Sequence, residues 1–280
     1  MKKQKVWFIT GASKGFGFEI AKAALAAGDK VVATVRSNAD GLRSVLSQDA
    51  LVVTLDVTRE DQVRKGVEEA IAQFGRIDVL VNNAGYGLLG GTEEVSDAEV
   101  KRQYDTNVFG LLNVTRAVLP HMRSQHSGHI INIASFLGYL ASLPGLGLYS
   151  STKFAVEGIS EGLALEVKPL GINVTSAAPG LFSTDFASTN SYQSSAIILD
   201  AYKGSVGGVR VGLGQLHGNQ PGDPAKLAQV IIKVANTENP PLHLPIGKDS
   251  VAAFRKKTEQ VQKEVAEWEA VSSSTDRSSK

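Results

Sequence analysis

Near the start of the chain stand Val6-Trp7-Phe8-Ile9-Thr10-Gly11-Ala12-Ser13-Lys14-Gly15-Phe16-Gly17, and the fold is decided there. Four apolar residues in an unbroken run read as a strand buried on both faces. Three glycines follow, spaced x3 and then x1, and a helical stretch over 19–27 comes next, stopped by Gly28. Strand, glycine turn and helix in that order open a βαβ unit. Glycines in such a turn let the backbone approach a pyrophosphate, and the helix N-terminus offers amide donors and partial positive charge. The spacing is not G-x-G-x-x-G, so the strand-helix context carries the reading.

Working outward, short apolar runs and helical stretches keep alternating. Strands are predicted at 31–35, 51–55, 77–81, 129–133, 173–177 and 242–246. Helices are predicted at 59–74, through roughly 97–124, and at 149–167 and 224–236. Strands that are apolar throughout suit a parallel sheet covered on both sides. The expected fold is α/β, a doubly wound parallel Rossmann-type sheet with helices on both faces, in a single domain.

Residues 1–247 are read as the dinucleotide-binding catalytic domain. Within it, 180–223 breaks the rhythm, rich in Gly, Ser and Asn yet carrying Leu181, Phe182, Phe186, Ile197, Ile198 and Leu199. Such a stretch is a lid or lacks fixed structure, and its apolar side chains favour a lid. Over 248–271, Val251, Phe254, Thr258, Val261, Val265 and Trp268 recur at spacings of three and four, an amphipathic helix that packs on its own subunit or on a partner. Residues 272–280 read as a flexible polar tail.

The 280 residues carry a net charge of +1, and neither a basic field for nucleic acid nor a membrane-length apolar run is present. With no cysteine and five scattered histidines, no metal site is expected. The run Val6–Ile9 is too short for a signal-peptide core, and a cytoplasmic location is the expectation.

The chemistry is read from Tyr149-Ser150-Ser151-Thr152-Lys153. On a helix, residues four apart share a face, so phenol and ammonium converge. A phenol titrates near 10, and a neighbouring cation favours its ionised form. Bringing it close to neutrality takes roughly 4 kcal/mol. The pair then serves as a general acid/base at oxygen. Cofactor choice is read at the end of the second strand, Ala33-Thr34-Val35-Arg36-Ser37. A carboxylate there would accept ribose hydroxyls, whereas Arg36, with Lys14 in the glycine turn, suits the extra phosphate of NADP(H).

Together with Leu55-Asp56-Val57, Asn82-Asn83-Ala84-Gly85, Asn107, Ser135 and Pro179-Gly180, these motifs make the chain resemble the short-chain dehydrogenase/reductase family from about Val6 to Ile246. The resemblance implies an NADPH-dependent carbonyl reductase, reversible as an alcohol dehydrogenase. It makes Tyr149 the proton donor and has Ser135 bonding the same oxygen. It has Lys153 lowering the phenol pKa and holding the nicotinamide ribose, and Asn107 supporting a water relay. It places Gly11, Ser13, Lys14, Gly15, Phe16, Gly17, Arg36 and Ser37 on the nucleotide. Asp56 and Val57 would flank the adenine, and Asn83, Ala84 and Gly85 the adenosine and ribose. Pro179, Gly180 and Thr184 would lie near the nicotinamide. Asp56 is alternatively a turn residue.

The loop from Ser135 to Tyr149 is one residue longer than the family's usual spacing, the addition falling in Tyr139-Leu140-Ala141-Ser142-Leu143. With Phe136, Leu137, Tyr139, Leu140 and Leu143, it implies a hydrophobic ketone or aldehyde as substrate. The family assembles as homodimers or homotetramers, through helices near 97–124 and 149–167. Two other classes compete: a non-catalytic NADP-binding sensor or scaffold on the same fold, and sugar-nucleotide epimerase or dehydratase chemistry. The intact Asn107, Ser135, Tyr149 and Lys153 argue against the first. The glycine spacing argues against the second.

Overall fold

The computed structural model describes residues 4–46, 49–184, 192–216 and 219–277. In chain order, β1 (Val6–Ile9), α1 (Gly15–Ala26), β2 (Lys30–Val35), α2 (Ala39–Arg43), β3 (Ala50–Thr54), α3 (Glu60–Phe74) and β4 (Val79–Asn82) build the first half. Next come β5 (Gly87–Leu89), α4 (Asp97–Tyr104), a π turn (Asp105–Phe109), α5 (Gly110–Gln125), β6 (Gly128–Ile133), α6 (Gly147–Val167) and β7 (Ile172–Pro179). The chain continues with β8 (Tyr192–Ser194), α7 (Val206–Leu216), α8 (Pro224–Ala235), β9 (His243–Ile246) and α9 (Lys248–Ser273).

Seven strands form one parallel sheet in the order β3-β2-β1-β4-β6-β7-β9. The order reverses between β1 and β4, which opens a crevice at the strands' C-terminal ends. This is the expected doubly wound, single-domain sheet. Its strands are apolar on both sides because two layers must be filled. Trp7 and Ile9 pack toward α1 and α8 with Val31, Ala33, Val81, Ile131 and Ile231. Val6 and Phe8 point the other way, toward α3 and α5, with Val32, Leu80, Ile130, Val67 and Val118.

Three expectations about elements are corrected. α1 begins at Gly15 rather than near 19, because its first turn is glycine and phenylalanine and carries no periodic apolar signal. The stretch 180–223 is more ordered than it reads. β8 pairs in parallel with β5, Gly87 beside Tyr192, and α7 follows. Four glycines in Val206–Leu216 hide that helix from propensity. Tertiary contacts hold it instead, among them buried Val206 and the Arg210–Glu94 ion pair. Residues 185–191, including Phe186, lie outside the described residues. At the other end, α9 runs to Ser273, two residues past the expected limit, where the Ser273 hydroxyl bonds the Glu269 carbonyl. Residues 278–280 lie outside the described residues.

His129 on β6 ties the sheet to solution pH. Its ring is buried, with Nε2 2.9 Å from Thr175 Oγ1. Thr175 donates its own proton to the Pro241 carbonyl at 2.7 Å, so the ring donates through Nε2. Burial, helped by the charge of Lys5, pulls the imidazole down to about 4. The folded state therefore binds this proton less readily than the unfolded chain. The contribution is complete above the ordinary imidazole value of 6.5 and is lost as pH falls through about 4. Acid should remove on the order of 3 kcal/mol through this one residue. Denaturant melts at pH 7 and pH 4 should show that difference, and His129→Gln should flatten it.

Candidate active site

The glycine turn is held from behind by side chains. Thr10 Oγ1 accepts from the Asn83 and Ala84 amides at 2.9 and 3.0 Å. Asn83 Nδ2 donates to the carbonyls of Thr10 and Gly11 at 2.9 and 3.0 Å. Gly11 has φ +65°, which only glycine adopts cheaply, and a Cβ there would lie 3.0 Å from Ala84 Cα. A Cβ on Gly17 would come within 2.5 Å of the Gly11 carbonyl oxygen. Gly17 thus lets α1 pack against the turn.

A cavity of about 600 Å³ runs along the C-terminal ends of β1, β2, β4, β6 and β7. It is lined by Gly11, Ser13, Lys14, Gly15, Phe16, Arg36, Ser37, Asp56, Val57, Asn83, Ala84 and Gly85. Farther along stand Ser135, Tyr149, Lys153, Pro179, Gly180 and Thr184. Gly17 and Asn107, expected at the site, are not on its wall; Gly17 has the packing role above. Asp56 is expected beside the adenine or in a turn, and the turn is what its hydrogen bonds show. It faces the cavity, and Oδ1 closes a turn by accepting from the Thr58 amide and hydroxyl at 2.9 and 2.8 Å.

Three elements bring the polar end together. Tyr149 and Lys153 lie one turn apart on α6, both buried. Lys153 Nζ donates to the Ile133 carbonyl at 2.7 Å and stands 6.0 Å from the Tyr149 ring centre. Ser135 lies two residues past β6, its extended backbone starting a short 3-10 turn whose Leu137 amide donates to Ser135 Oγ at 3.2 Å. Asn107 sits in the π turn. Its Oδ1 accepts from the Tyr86 amide at 3.0 Å, and Nδ2 donates to the Tyr86 carbonyl at 3.0 Å and to Thr152 Oγ1 at 3.2 Å. The side-chain amide thus fixes the loop after β4 onto α6. A Cβ on Gly85 would lie 3.1 Å from Asn107 Oδ1 and 3.8 Å from Lys153 Nζ, so glycine keeps that passage narrow but open.

Burial governs the electrostatics. It pushes the Tyr149 phenol well above its ordinary value, while a hydrogen bond from Ser135 pulls it down. It pushes the Lys153 ammonium down to about 8, and Glu157, one turn further on, pulls it back up. The sequence reading has Lys153 lowering the phenol; instead desolvation is the largest influence and Ser135 the opposing one, and the phenol is held protonated. A protonated phenol, a hydroxyl and a cation converging on one cavity end can donate hydrogen bonds and a proton to an oxygen placed between them.

Among the residues foreseen for the apolar wall, Phe136, Leu137 and Leu143 line the cavity. Tyr139 and Leu140 do not. Tyr139 stacks on Phe254 of α9, centres 4.0 Å apart and 6° from parallel. From the 180–223 stretch, Leu181 and Phe182 reach the cavity, while Ile197 and Ile198 face solvent. Leu199 gives its amide to the Glu94 carboxylate. Sequence reasoning missed Tyr192 and Gln193 on the wall, which the β5–β8 pairing places, and Leu213 of α7 and Gln220. It also missed Asp249, which accepts from the Leu181 amide at 2.6 Å and fixes the turn after β7. Among the described residues no helix is long and apolar enough to cross a membrane, and no acidic or histidine cluster could hold a metal.

Residues 5–194 match the family model described as short chain dehydrogenase. Oxidoreductase BOA17 of Botryotinia fuckeliana is 37% identical over 272 residues, covering 96% of this chain and 98% of its own. A 3-ketodihydrosphingosine reductase of Bacteroides thetaiotaomicron is 38% identical over 244 residues, covering 87% and 88%. The crystal structure of a short-chain dehydrogenase from Streptomyces avermitilis superposes with a TM-score of 0.90 at 42% identity, covering 98% of this chain and 100% of that one.

Proposed function

Since the chain belongs to the short-chain dehydrogenase family of oxidoreductases, we propose that it is an NADPH-dependent reductase of a hydrophobic ketone or aldehyde, reversible as an alcohol dehydrogenase. The observation that carries this reading is the meeting of Ser135, Tyr149 and Lys153 at one end of a cavity whose other end is the glycine turn.

The residues present fit a nicotinamide dinucleotide. Gly11 and Gly15 have positive φ, which exposes the backbone of the turn, and Ser13 and Lys14 stand between them. Arg36 and Ser37 close the second strand on the cavity side. Neither Lys14 nor Arg36 is spent in an ion pair among the described residues. A guanidinium there forks onto phosphate oxygens, and no carboxylate competes for ribose hydroxyls. Lys153 would hold the nicotinamide ribose. When bound, the nicotinamide supplies the hydride for the carbonyl carbon.

The chain's own residues then handle the oxygen. Ser135 and Tyr149 donate hydrogen bonds to it, and Tyr149 passes its proton as charge develops there. Lys153, charged below about 8, stabilises the phenolate left behind. Asn107 acts by holding the Tyr86 loop against α6, which keeps Gly85 close to Lys153. Phe136, Leu137, Leu143, Leu146 and Leu213 give the substrate end its apolar wall.

The test is NADPH consumption against a panel of ketones and aldehydes, with NADH in parallel. Turnover should be faster with NADPH and should rise with the apolar surface of the carbonyl compound. Tight NADPH binding without turnover on any carbonyl would favour a nucleotide sensor instead. Arg36→Asp should cost NADPH about 1.5–3 kcal/mol, roughly 10- to 100-fold in affinity, and spare NADH. Equal losses for both nucleotides would remove Arg36 from the phosphate site. We further propose a homodimer or homotetramer; Phe109 in the π turn and Phe154 on α6 stand exposed on the helices expected at its interface.

A further inference from the structure

α9 changes character along its length. From residue 258 to 273 every position is exposed. Its root is instead tied to the turn that follows β7. Ser250 Oγ donates to the Ala178 carbonyl at 2.7 Å, and the Gly180 amide donates to the Ile246 carbonyl at 2.9 Å. Asp249 Oδ2 accepts from the Leu181 amide at 2.6 Å, and Oδ1 accepts from the Ser250 amide at 2.9 Å.

That turn borders the reacting end of the cavity. β7 runs beside β6 with Ala177 opposite Ile133, so the chain after β7 leaves the sheet beside the segment that carries Ser135. Pro179, Gly180, Leu181 and Phe182 all line the cavity. Two glycines from different segments leave the space that the carboxylate fills. A Cβ on Gly180 would overlap Asp249, and one on Gly247 would lie 2.7 Å from its Oδ1. An acidic residue in the first turn of a helix complements the helix dipole. That role alone needs neither a bond to an amide of another element nor a glycine at 180. A carboxylate does suit two amides at once, since each oxygen accepts one and charge-assisted bonds are roughly twice as strong as neutral ones.

We propose that Asp249 is a positioning residue: through the Leu181 amide its carboxylate fixes the turn 179–182 at the nicotinamide end of the cavity, which makes the root of α9 part of the active site. The inference rests on the dinucleotide reading above. The turn has a second tether. The Leu181 carbonyl accepts from the Gly222 amide at 3.0 Å, and the Ser183 amide donates to the Gly222 carbonyl at 2.8 Å. Loss of the carboxylate therefore loosens the turn without releasing it.

The test compares the full-length wild type with Asp249→Ala and with Asp249→Asn, which is the same size but has one acceptor oxygen. In the nucleotide-free protein, hydrogen exchange is read at the Gly180 and Ser183 amides, whose own acceptors, the Ile246 and Gly222 carbonyls, are untouched. Exchange there should quicken about 10- to 100-fold in Asp249→Ala and less in Asp249→Asn, with β1 and α6 unchanged. NADPH should bind Asp249→Ala about 10-fold more weakly. The adenosine bisphosphate fragment of NADP, which lacks the nicotinamide half, should bind it as it binds wild type. A misplacement of about 1 Å can cost about 100-fold in rate, so kcat should fall further than NADPH affinity. Unchanged exchange at both amides would overturn the proposal. So would exchange that rises only within α9, which would leave Asp249 a helix-dipole residue, or equal losses for NADPH and the fragment. A wild type that prefers NADH, or reduces no carbonyl, would sink the NADPH-reductase reading alone, because exchange in the free protein still decides whether Asp249 holds the turn.

Discussion

Tyr149→Phe should reduce turnover about 10²- to 10⁴-fold, the range supplied by a positioned general acid, while NADPH binding stays within a factor of a few. Phenylalanine keeps the buried ring and its contacts with Leu89, Leu137, Leu146 and Val206, so the cavity wall survives. It removes the one proton that burial holds on the phenol and the hydrogen bond shared with Ser135. A neutral bond of that kind contributes about 1 kcal/mol, so stability should change little. Fluorescence titration of NADPH and steady-state kinetics on one carbonyl separate binding from chemistry. A variant that turns over near wild-type rate would overturn the acid assignment. A variant that loses nucleotide affinity in proportion to rate would make Tyr149 a binding residue instead.

Arg210→Ala should lower stability by about 3–5 kcal/mol, the cost of leaving a buried charge without its partner. Glu94 is fully buried and accepts from the Gly91 and Leu199 amides and from Arg210 Nη2 at 2.7, 2.9 and 2.8 Å. Arg210 also reaches Ser195 Oγ at 2.9 Å, so one guanidinium joins α7, the end of β8 and the loop after β5. Its hydrogen bond is the largest influence holding the Glu94 carboxyl down at about 2, followed by the two backbone amides. The folded pKa lies below the ordinary carboxylate value, so the pair stabilises the protein fully above 4.5. That contribution fades as pH falls toward about 2. Because Tyr192, Gln193 and Leu213 hang on this join and line the cavity, KM for the carbonyl should rise more than kcat falls. Thermal melts and kinetics of Arg210→Ala beside Arg210→Lys check both expectations. Unchanged stability and KM in the alanine variant would mean that other contacts hold the 192–216 segment.

Several features were legible because their signals are local. Four apolar residues followed by glycines demand a buried strand and a turn of open backbone. Tyr149 and Lys153 share a face on any α-helix, whatever surrounds them. The strand-helix rhythm left one economical arrangement, a parallel sheet with helices on both sides, and the sheet has it. Other features were hidden because they depend on partners far away in sequence. α7 is rich in glycine and forms where Glu94, more than a hundred residues earlier, meets Arg210. Tyr139 reads as a pocket residue until Phe254 is folded against it. Gly17 reads as a ligand contact, yet it lets α1 pack on the turn; Asn107 reads as the support of a water relay, and its side-chain amide fixes the loop after β4 onto α6.

Sequence alone determined the parallel α/β class, the glycine turn after the first strand, the basic end of the second strand and the shared helical face of Tyr149 and Lys153. Each rests on residue type and short spacing, which fix backbone freedom, charge and helical face without reference to the rest of the chain. Tertiary structure alone decided the substrate wall, the held-up phenol, the lowered ammonium and the bare half of α9. Those depend on how much water folding removes from each group, and desolvation is a property of the packed chain rather than of any stretch within it.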